Sequence, residues 1–119
     1  MVKAVMFFKR RKDLTRDQFR EYWLTNHSKL EKENVENKWV RKIVVSFAIE
    51  DDSLGEPPWD GMVELYFDSI EDMKNDIQGA QRKIMYADEE NFVDHSFPEM
   101  LAVTQEFLVA IKTPRECQI

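Results

Sequence analysis

The chain has 119 residues, 43% of them hydrophobic and 34% charged, with a formal net charge of −6. These values fit one globular domain and disfavour nucleic acid as a partner, because phosphate binding relies on a basic face. No apolar run approaches the ~20 residues of a membrane span, and the first residues lack a signal-peptide layout. We therefore expect a cytoplasmic protein with no membrane partner.

The first third of the chain predicts a strand followed by a capped helix. Residues 2–8 are nearly all apolar, which is typical of a strand covered on both faces. Thr15 and Gln18 have the spacing of a capping box, which would start the helix. The apolar stripe of this helix is predicted to be Phe19, Trp23 and Leu30. The charges at its end, Glu31, Glu33 and Glu36 among them, are interpreted as a solvated outer face.

Two more strands are predicted in the middle of the chain. Residues 39–49 are rich in β-branched side chains, which favour a strand. A polar loop follows, and residues 62–67 then form the third strand. Alternation along this strand predicts one face with Val63, Leu65 and Phe67 and the other with Met62, Glu64 and Tyr66.

The last part predicts a second helix, a helical turn and a fourth strand. Ser69 is the expected N-cap of the helix, and its apolar positions are Ile70, Met73, Ile77, Ala80 and Ile84. A short helical turn is predicted from Asp88, with Phe92 and Val93 packing it down. Residues 103–111 are the predicted fourth strand.

The predicted order, β-α-β-β-α-β, is the ferredoxin-like arrangement of an α+β protein. Both helices then cover one face of a four-stranded antiparallel sheet. Because the strands carry apolar residues on both faces, the open face needs a cover. We predict a symmetric homodimer in which two such sheets pack together, built from one domain over residues 1–112 with a tail at 113–119.

His27 is the residue of the first helix that the fold does not require. It follows Trp23 by one turn, and beside a partly apolar pocket its pKa would lie near neutrality, which suits proton transfer. The alternative is a structural histidine, hydrogen-bonded at the edge of the core. Tyr22 and Asn26 lie beside it and could bind a carbonyl or hydroxyl oxygen.

Asp88 and His95 are further candidates for orienting or sharing a proton. The alternatives are a helix N-cap for Asp88 and a surface position for His95. Two distant histidines do not predict a metal site, and the single cysteine, Cys117, can form no internal disulfide. Glu64 and Glu106 either point into a pocket or dimer interface or reach solvent at an edge.

Motifs for cofactor binding are absent from the sequence. It contains no glycine-rich phosphate loop and no G-x-S-x-G elbow. An enzyme with this sequence is therefore expected to work without an organic cofactor.

Three segments of the chain resemble EthD-domain proteins. The first comprises Phe8-Lys9-Arg10, Leu14-Thr15, Phe19-Arg20-Glu21-Tyr22-Trp23 and His27. The other two run from Asp60 to Ser69 and from Asp88 to Asp94.

The resemblance implies a dimeric α/β barrel of ferredoxin-like subunits, with ligands between helices and sheet. The wider group is similar in build to cofactor-free methylmuconolactone isomerases, polyketide cyclases, quinone-forming monooxygenases and fungal polyketide dehydratases. In the lactone-isomerising relatives, the histidine that matches His27 is placed to move protons. Their mid-chain cysteine has no counterpart here, so that specific reaction is not implied.

These observations favour a cofactor-independent lyase or isomerase acting on a small, largely apolar oxygenated ring or carbonyl compound of aromatic or polyketide metabolism. His27 would move a proton next to a carbonyl group, and Asp88 or His95 would share it. The residues expected to contact the substrate are Phe7, Tyr22, Trp23, Asn26, Tyr66 and Phe92. The alternatives are a cofactor-free monooxygenase acting on a phenol and a non-catalytic protein that binds a pathway intermediate or haem.

Overall fold

The computed structural model describes residues 1–37, 39–98 and 100–113. The strands are β1 (Val2–Phe8), β2 (Val40–Phe47), β3 (Gly61–Phe67) and β4 (Met100–Gln105). The helices are α1 (Arg16–Tyr22), α2 (Ser28–Asn37), α3 (Ile70–Ile77) and α4 (Ala80–Glu89). A π-helical segment, Trp23–His27, joins α1 to α2 without a break, and a short 3-10 turn spans Asp52–Leu54. Cys117 and most of the predicted tail lie outside the described residues.

The four strands form one antiparallel sheet in the order β2-β3-β1-β4, which confirms the ferredoxin-like prediction. The helices cover one face. Val63, Leu65 and Phe67 point to that face, as predicted, and pack with Ala4 and Phe8 of the neighbouring β1. The helix-facing side chains of β1 and β3 therefore form the part of the core that the sheet supplies.

Helix starts follow the predicted capping chemistry. The Thr15 hydroxyl accepts the backbone N–H of Gln18, and the Gln18 side chain accepts the N–H of Thr15. The Ser69 hydroxyl accepts the backbone N–H of Asp72 in the same way at α3. Both caps confirm the sequence prediction, because each satisfies backbone donors that a helix start leaves free.

The stripe predicted for the first helix is only partly correct. Phe19 and Trp23 are each 1% exposed, but the next buried positions are His27 and Glu31. Each of these four residues follows the previous one by four positions, so Phe19 and Glu31 are 12 residues apart. In a regular α-helix this separation would turn the Glu31 side chain by about 120° away from that of Phe19. The π segment contains the extra residue that keeps all four on one side. The prediction that Glu31 lies on a solvated face is therefore wrong, since this side chain is 6% exposed.

The second helical region also differs from the prediction. It consists of two helices, because α3 ends at Ile77, with Gln78 as its C-cap, and α4 starts after Gly79. Of the predicted apolar positions, Ile70, Ile77 and Ile84 are exposed, whereas Met73 is buried, as is Met85 on α4. No new helical turn begins at Asp88, which instead lies in the last turn of α4. Phe92 and Val93 are buried after this helix, as predicted.

β4 is displaced from its predicted position. It pairs with β1 from Met100 to Gln105, and Gln105 lies opposite Val2. Because β1 begins at Val2, the described residues beyond Gln105 have no partner on this strand. Residues 106–113, called the C-terminal arm below, carry apolar side chains that are almost fully exposed, such as Leu108 at 81% and Val109 at 92%.

The open face of the sheet mixes apolar and charged side chains. The Lys3 ammonium donates to Glu64 at 2.6 Å and to Glu106 at 3.3 Å. The Lys42 ammonium lies 4.3 Å from the centre of the Tyr66 ring on the same face. Glu64 and Glu106 therefore lie away from the helices, in an ionic cluster with Lys3. Within the described part of the chain, no helix has the length and apolarity to cross a membrane.

Candidate active site

His27 is the centre of the buried polar cluster between the helices and the sheet. It is 3% exposed, and the π segment directs it inward beside the rings of Trp23 and Phe92, whose centres lie 5.8 and 5.0 Å from its own. Its Nδ1 lies 2.8 Å from Oδ2 of Asp88. The last turn of α4 and the π segment thus bring together two residues 61 positions apart in the chain.

Asp88 is held as a carboxylate. Burial acts to raise its pKa, but hydrogen bonds from Tyr22, His27 and Asn91 outweigh burial and lower the pKa below the ordinary range. The Tyr22 hydroxyl donates to Oδ1 at 2.7 Å. Asp88 therefore accepts bonds on both oxygens and is an orienting partner rather than a helix cap.

The protonation of His27 follows from these contacts. Burial lowers its pKa, although Asp88 partly opposes this effect. The neutral ring donates Nδ1–H to the Asp88 carboxylate. Among the hydrogen bonds of the described residues, none involves Nε2, so its lone pair is available as a base.

Glu31 is a second titratable group in this cluster. The indole Nε1–H of Trp23 donates to its Oε1 at 3.0 Å. Burial raises the pKa of Glu31 to about 7, although this hydrogen bond and the nearby Arg82 oppose the rise. Glu31 therefore holds its proton over a range in which an exposed glutamate is ionised.

Arg82 on α4 closes one side of the cluster. Its guanidinium donates to Asp76 at 2.6 Å and to Asn34 at 3.0 Å. Asn34 in turn donates to Asp76 at 2.7 Å. This buried network ties α2 to the α3–α4 pair and holds the arginine beside the cavities.

Two cavities adjoin these residues. The inner one has a volume of about 10 Å³, enough for one water molecule, and its polar lining comprises His27, Glu31, Arg82 and Glu89. The outer one has a volume of about 130 Å³ and is lined almost entirely by apolar side chains. Four residues line both cavities: Met6, Leu65, Arg82 and Glu89. The exposed side chains of Ile77, Tyr86 and Leu101 line the outer cavity as well, so it opens at the surface between α3, α4 and β4.

The structure brings together five of the residues singled out from the sequence: Tyr22, Trp23, His27, Asp88 and Phe92. Four others lie elsewhere. Asn26 is exposed on the π segment, and His95 is exposed with its ring 5.3 Å from that of Tyr86. Phe7 and Tyr66 lie on the open face of the sheet, because their strand partners Met62 and Lys3 point to that face.

Three polar residues of the site did not emerge from the sequence: Glu31, Arg82 and Glu89. Each lies in a charged helical segment, where a solvated position is the usual expectation. A signal for Glu31 does exist, because Phe19, Trp23, His27 and Glu31 follow one another at intervals of four. Only a helix with an inserted residue keeps that spacing on one face.

The arrangement offers a base and an acid beside an apolar cavity. Neutral His27 can accept a proton at Nε2, and protonated Glu31 can donate one. Among the described residues, no group of three or more histidine, cysteine, aspartate or glutamate side chains is placed to hold a metal ion. The chemistry open to these side chains is proton transfer beside a small, largely apolar cavity.

Comparison with known proteins identifies a family. The model of the EthD domain matches residues 11–96. An EthD family protein from Bacillus halodurans has a similar structure, with a TM-score of 0.70 at 20% identity, covering 90% of this chain and 99% of that one. No curated protein sequence matches the chain.

Two further solved structures share the fold. A protein of unknown function from Bacteroides fragilis, described as dimeric and ferredoxin-like, has a TM-score of 0.60 at 19% identity and covers 88% of this chain and 95% of its own. A candidate antibiotic biosynthesis monooxygenase from Nitrosomonas europaea has a TM-score of 0.62 at 10% identity, and the match covers 91% of this chain and 100% of that one. At these identities the likeness shows the fold alone.

Proposed function

The chain belongs to the EthD family, and we propose that it is a cofactor-independent lyase or isomerase that moves a proton on a small, largely apolar oxygenated ring or carbonyl compound. The observation that carries this proposal is the Asp88–His27 pair, whose histidine lines the inner cavity. Asp88 binds Nδ1 and thereby leaves Nε2 of a neutral histidine as the base.

The outer cavity sets the size of the substrate. An apolar cavity of about 150 Å³ accommodates benzene, so a cavity of about 130 Å³ suits a single five- or six-membered ring. Its apolar walls favour a ring with few polar substituents. This substrate class fits aromatic or polyketide metabolism.

Proton removal next to a carbonyl can be measured without knowing the natural substrate. Cyclohexanone, cyclohex-2-enone and a five-membered unsaturated lactone would be incubated with the protein in D2O, and deuterium uptake next to the carbonyl would be followed by NMR. We expect protein-dependent uptake on at least one ring and a loss of about 10²- to 10⁴-fold in His27→Gln, since that is the usual contribution of a general base.

The matched control for this test is His95→Gln, which changes the other histidine of the chain at an exposed position. We expect its rate to equal that of the unaltered protein. Uptake that is equally fast in His27→Gln, or absent with all three rings, would contradict the proposed function.

A cofactor-free monooxygenase acting on a phenol is the second candidate. It is favoured by the structural likeness to the Nitrosomonas europaea protein. Oxygen consumption with phenolic substrates, measured by an electrode, separates the two reactions, because proton transfer consumes no oxygen.

We also propose that the protein is a homodimer in which two sheets pack through their open faces. The C-terminal arm supports this, because its apolar side chains are unpartnered within the described chain. The radius of gyration of 16.2 Å exceeds the roughly 13.5 Å of a compact domain of this length, as expected when an arm projects from the body. The Bacteroides fragilis protein with the same fold is described as dimeric.

A further inference from the structure

Glu31 is a buried acid that the proposed role of His27 does not use. It lies one helical turn beyond His27 and lines the same inner cavity. Trp23 holds its Oε1 from the side, which leaves Oε2 as the oxygen that carries a proton. Burial favours the protonated form of this carboxyl group and outweighs the opposing effect of the indole donor.

The size of the inner cavity restricts what can reach Glu31. A volume of about 10 Å³ admits one oxygen atom but not a ring. The two cavities are neighbours because they share Met6, Leu65, Arg82 and Glu89, and an oxygen substituent that reaches the inner one from a ring in the outer one would lie beside Glu31 and His27.

We propose that Glu31 is the acid partner of His27 and that the substrate is a monocyclic ketone or lactone whose carbonyl oxygen occupies the inner cavity. In the step, Nε2 of His27 takes the proton from the carbon next to the carbonyl group. The electrons of that C–H bond form the C=C bond, and the carbonyl oxygen takes the proton of Glu31. The products are an enol, an imidazolium and a carboxylate, so all charges and protons balance.

The step needs only the protons of the substrate, His27 and Glu31. The enol can return its proton to Glu31 while His27 delivers a proton to the original carbon, which reverses the step; exchange of the His27 proton with D2O before delivery gives deuterium uptake. Where the enol is conjugated with a second C=C bond, delivery to the far end of that bond shifts the double bond. The inference rests on the proposed function, because it requires that His27 be the base.

Other charged groups around Glu31 belong in any account of its titration. Arg82 and Glu89 face it across the inner cavity, and His27 lies on its own helix. Arg82 is paired with Asp76, which weakens its pull on the Glu31 proton. Direct titration of the Glu31 carboxyl carbon by ¹³C NMR tests the protonation without any substrate, and a midpoint in the ordinary glutamate range would overturn the inference.

Glu31→Gln tests the catalytic role. The amide oxygen still accepts the Trp23 N–H and the side-chain volume is unchanged, so the fold is retained, but the amide cannot deliver a proton. We expect deuterium uptake to fall about 10²- to 10⁴-fold. We also expect the activity of the unaltered protein to decline above pH 7 as Glu31 ionises, and this decline to be absent in the variant.

A merely structural Glu31 would lower the rate without removing that decline, and this result would overturn the inference. So would a decline that disappears in Glu89→Gln but persists in Glu31→Gln. Glu36→Gln, on the exposed side of α2, is the matched control and should behave as the unaltered protein. If the unaltered protein shows no uptake, the proposed function fails; if uptake depends on His27 but not on Glu31, only this inference fails.

Discussion

Replacing Glu31 by glutamine should change how the stability of the protein depends on pH. Burial raises the pKa of this carboxyl from 4.5 in the unfolded chain to about 7 in the folded protein. Between these values the folded state binds a proton that the unfolded state has released. The contribution of this carboxyl group to the free energy of unfolding therefore falls by about 1.4 kcal/mol per pH unit from pH 4.5 up to pH 7, and it is constant outside that range.

The magnitude follows from the same two values. Below pH 4.5 the carboxyl is protonated in both states and contributes nothing, whereas above pH 7 its burial costs the folded protein about 3 kcal/mol. Glutamine is uncharged at every pH and has no such cost. We expect the stability of Glu31→Gln relative to the unaltered protein to rise by about 2 to 3 kcal/mol between pH 5 and pH 8.

Urea unfolding followed by tryptophan fluorescence at pH 5, 6, 7 and 8 measures this difference. Burial lowers the pKa of His27, so its contribution is present above pH 6.5 and is lost as the pH falls through its folded-state pKa. That contribution is common to both proteins and cancels in the comparison. A difference that does not vary with pH would refute the buried, protonated state of Glu31, and Glu36→Gln should show none.

Three other substitutions test the packing and the site. Asp88→Asn should reduce deuterium uptake by about 10²- to 10⁴-fold without loss of fold. The amide can donate to Nδ1 of His27 and so place the ring proton on Nε2, which then cannot act as the base. A rate within twofold of that of the unaltered protein would contradict the orienting role of Asp88. Gly61→Ala should lower the melting temperature by roughly 4 to 12 °C in calorimetry. The added Cβ would lie 3.0 Å from the rings of Phe19 and Trp23, at a cost of about 1–3 kcal/mol. An unchanged melting temperature would show that these rings can shift freely. Leu108→Glu should weaken the proposed dimer in sedimentation equilibrium, and an unchanged association constant would exclude this part of the arm from the interface.

Much of the fold could be predicted because local signals agree with the tertiary structure. Strand alternation, the Thr15 and Ser69 caps and the β-α-β-β-α-β order all point to one topology. The errors arise where a distant partner decides the outcome. β4 ends at Gln105 because β1 begins at Val2, and nothing near residue 105 signals that limit.

The candidate site was less predictable for the same reason. His27 stood out because a histidine on an aromatic helix face needs an explanation. Glu31 did not stand out, because a glutamate in a charged helical segment is solvated in most proteins. Its hydrogen bond from the Trp23 indole depends on the fold and is not visible in the sequence. The role of Asp88 likewise depends on its place in the last turn of α4. The sequence instead predicted that a helical turn starts at Asp88, and this prediction hid its role as a partner of His27.

The π segment makes the length of the chain between Trp23 and Glu31 a constraint in its own right. Loops usually tolerate gain or loss of a residue, but one residue inserted here as regular α-helix would rotate Glu31 by about 100° relative to Trp23. The helix could still form, while the acid would turn away from its indole donor. A single-residue insertion, which alters no side chain of the site, should therefore separate folding of the helix from assembly of the proton-transfer pair.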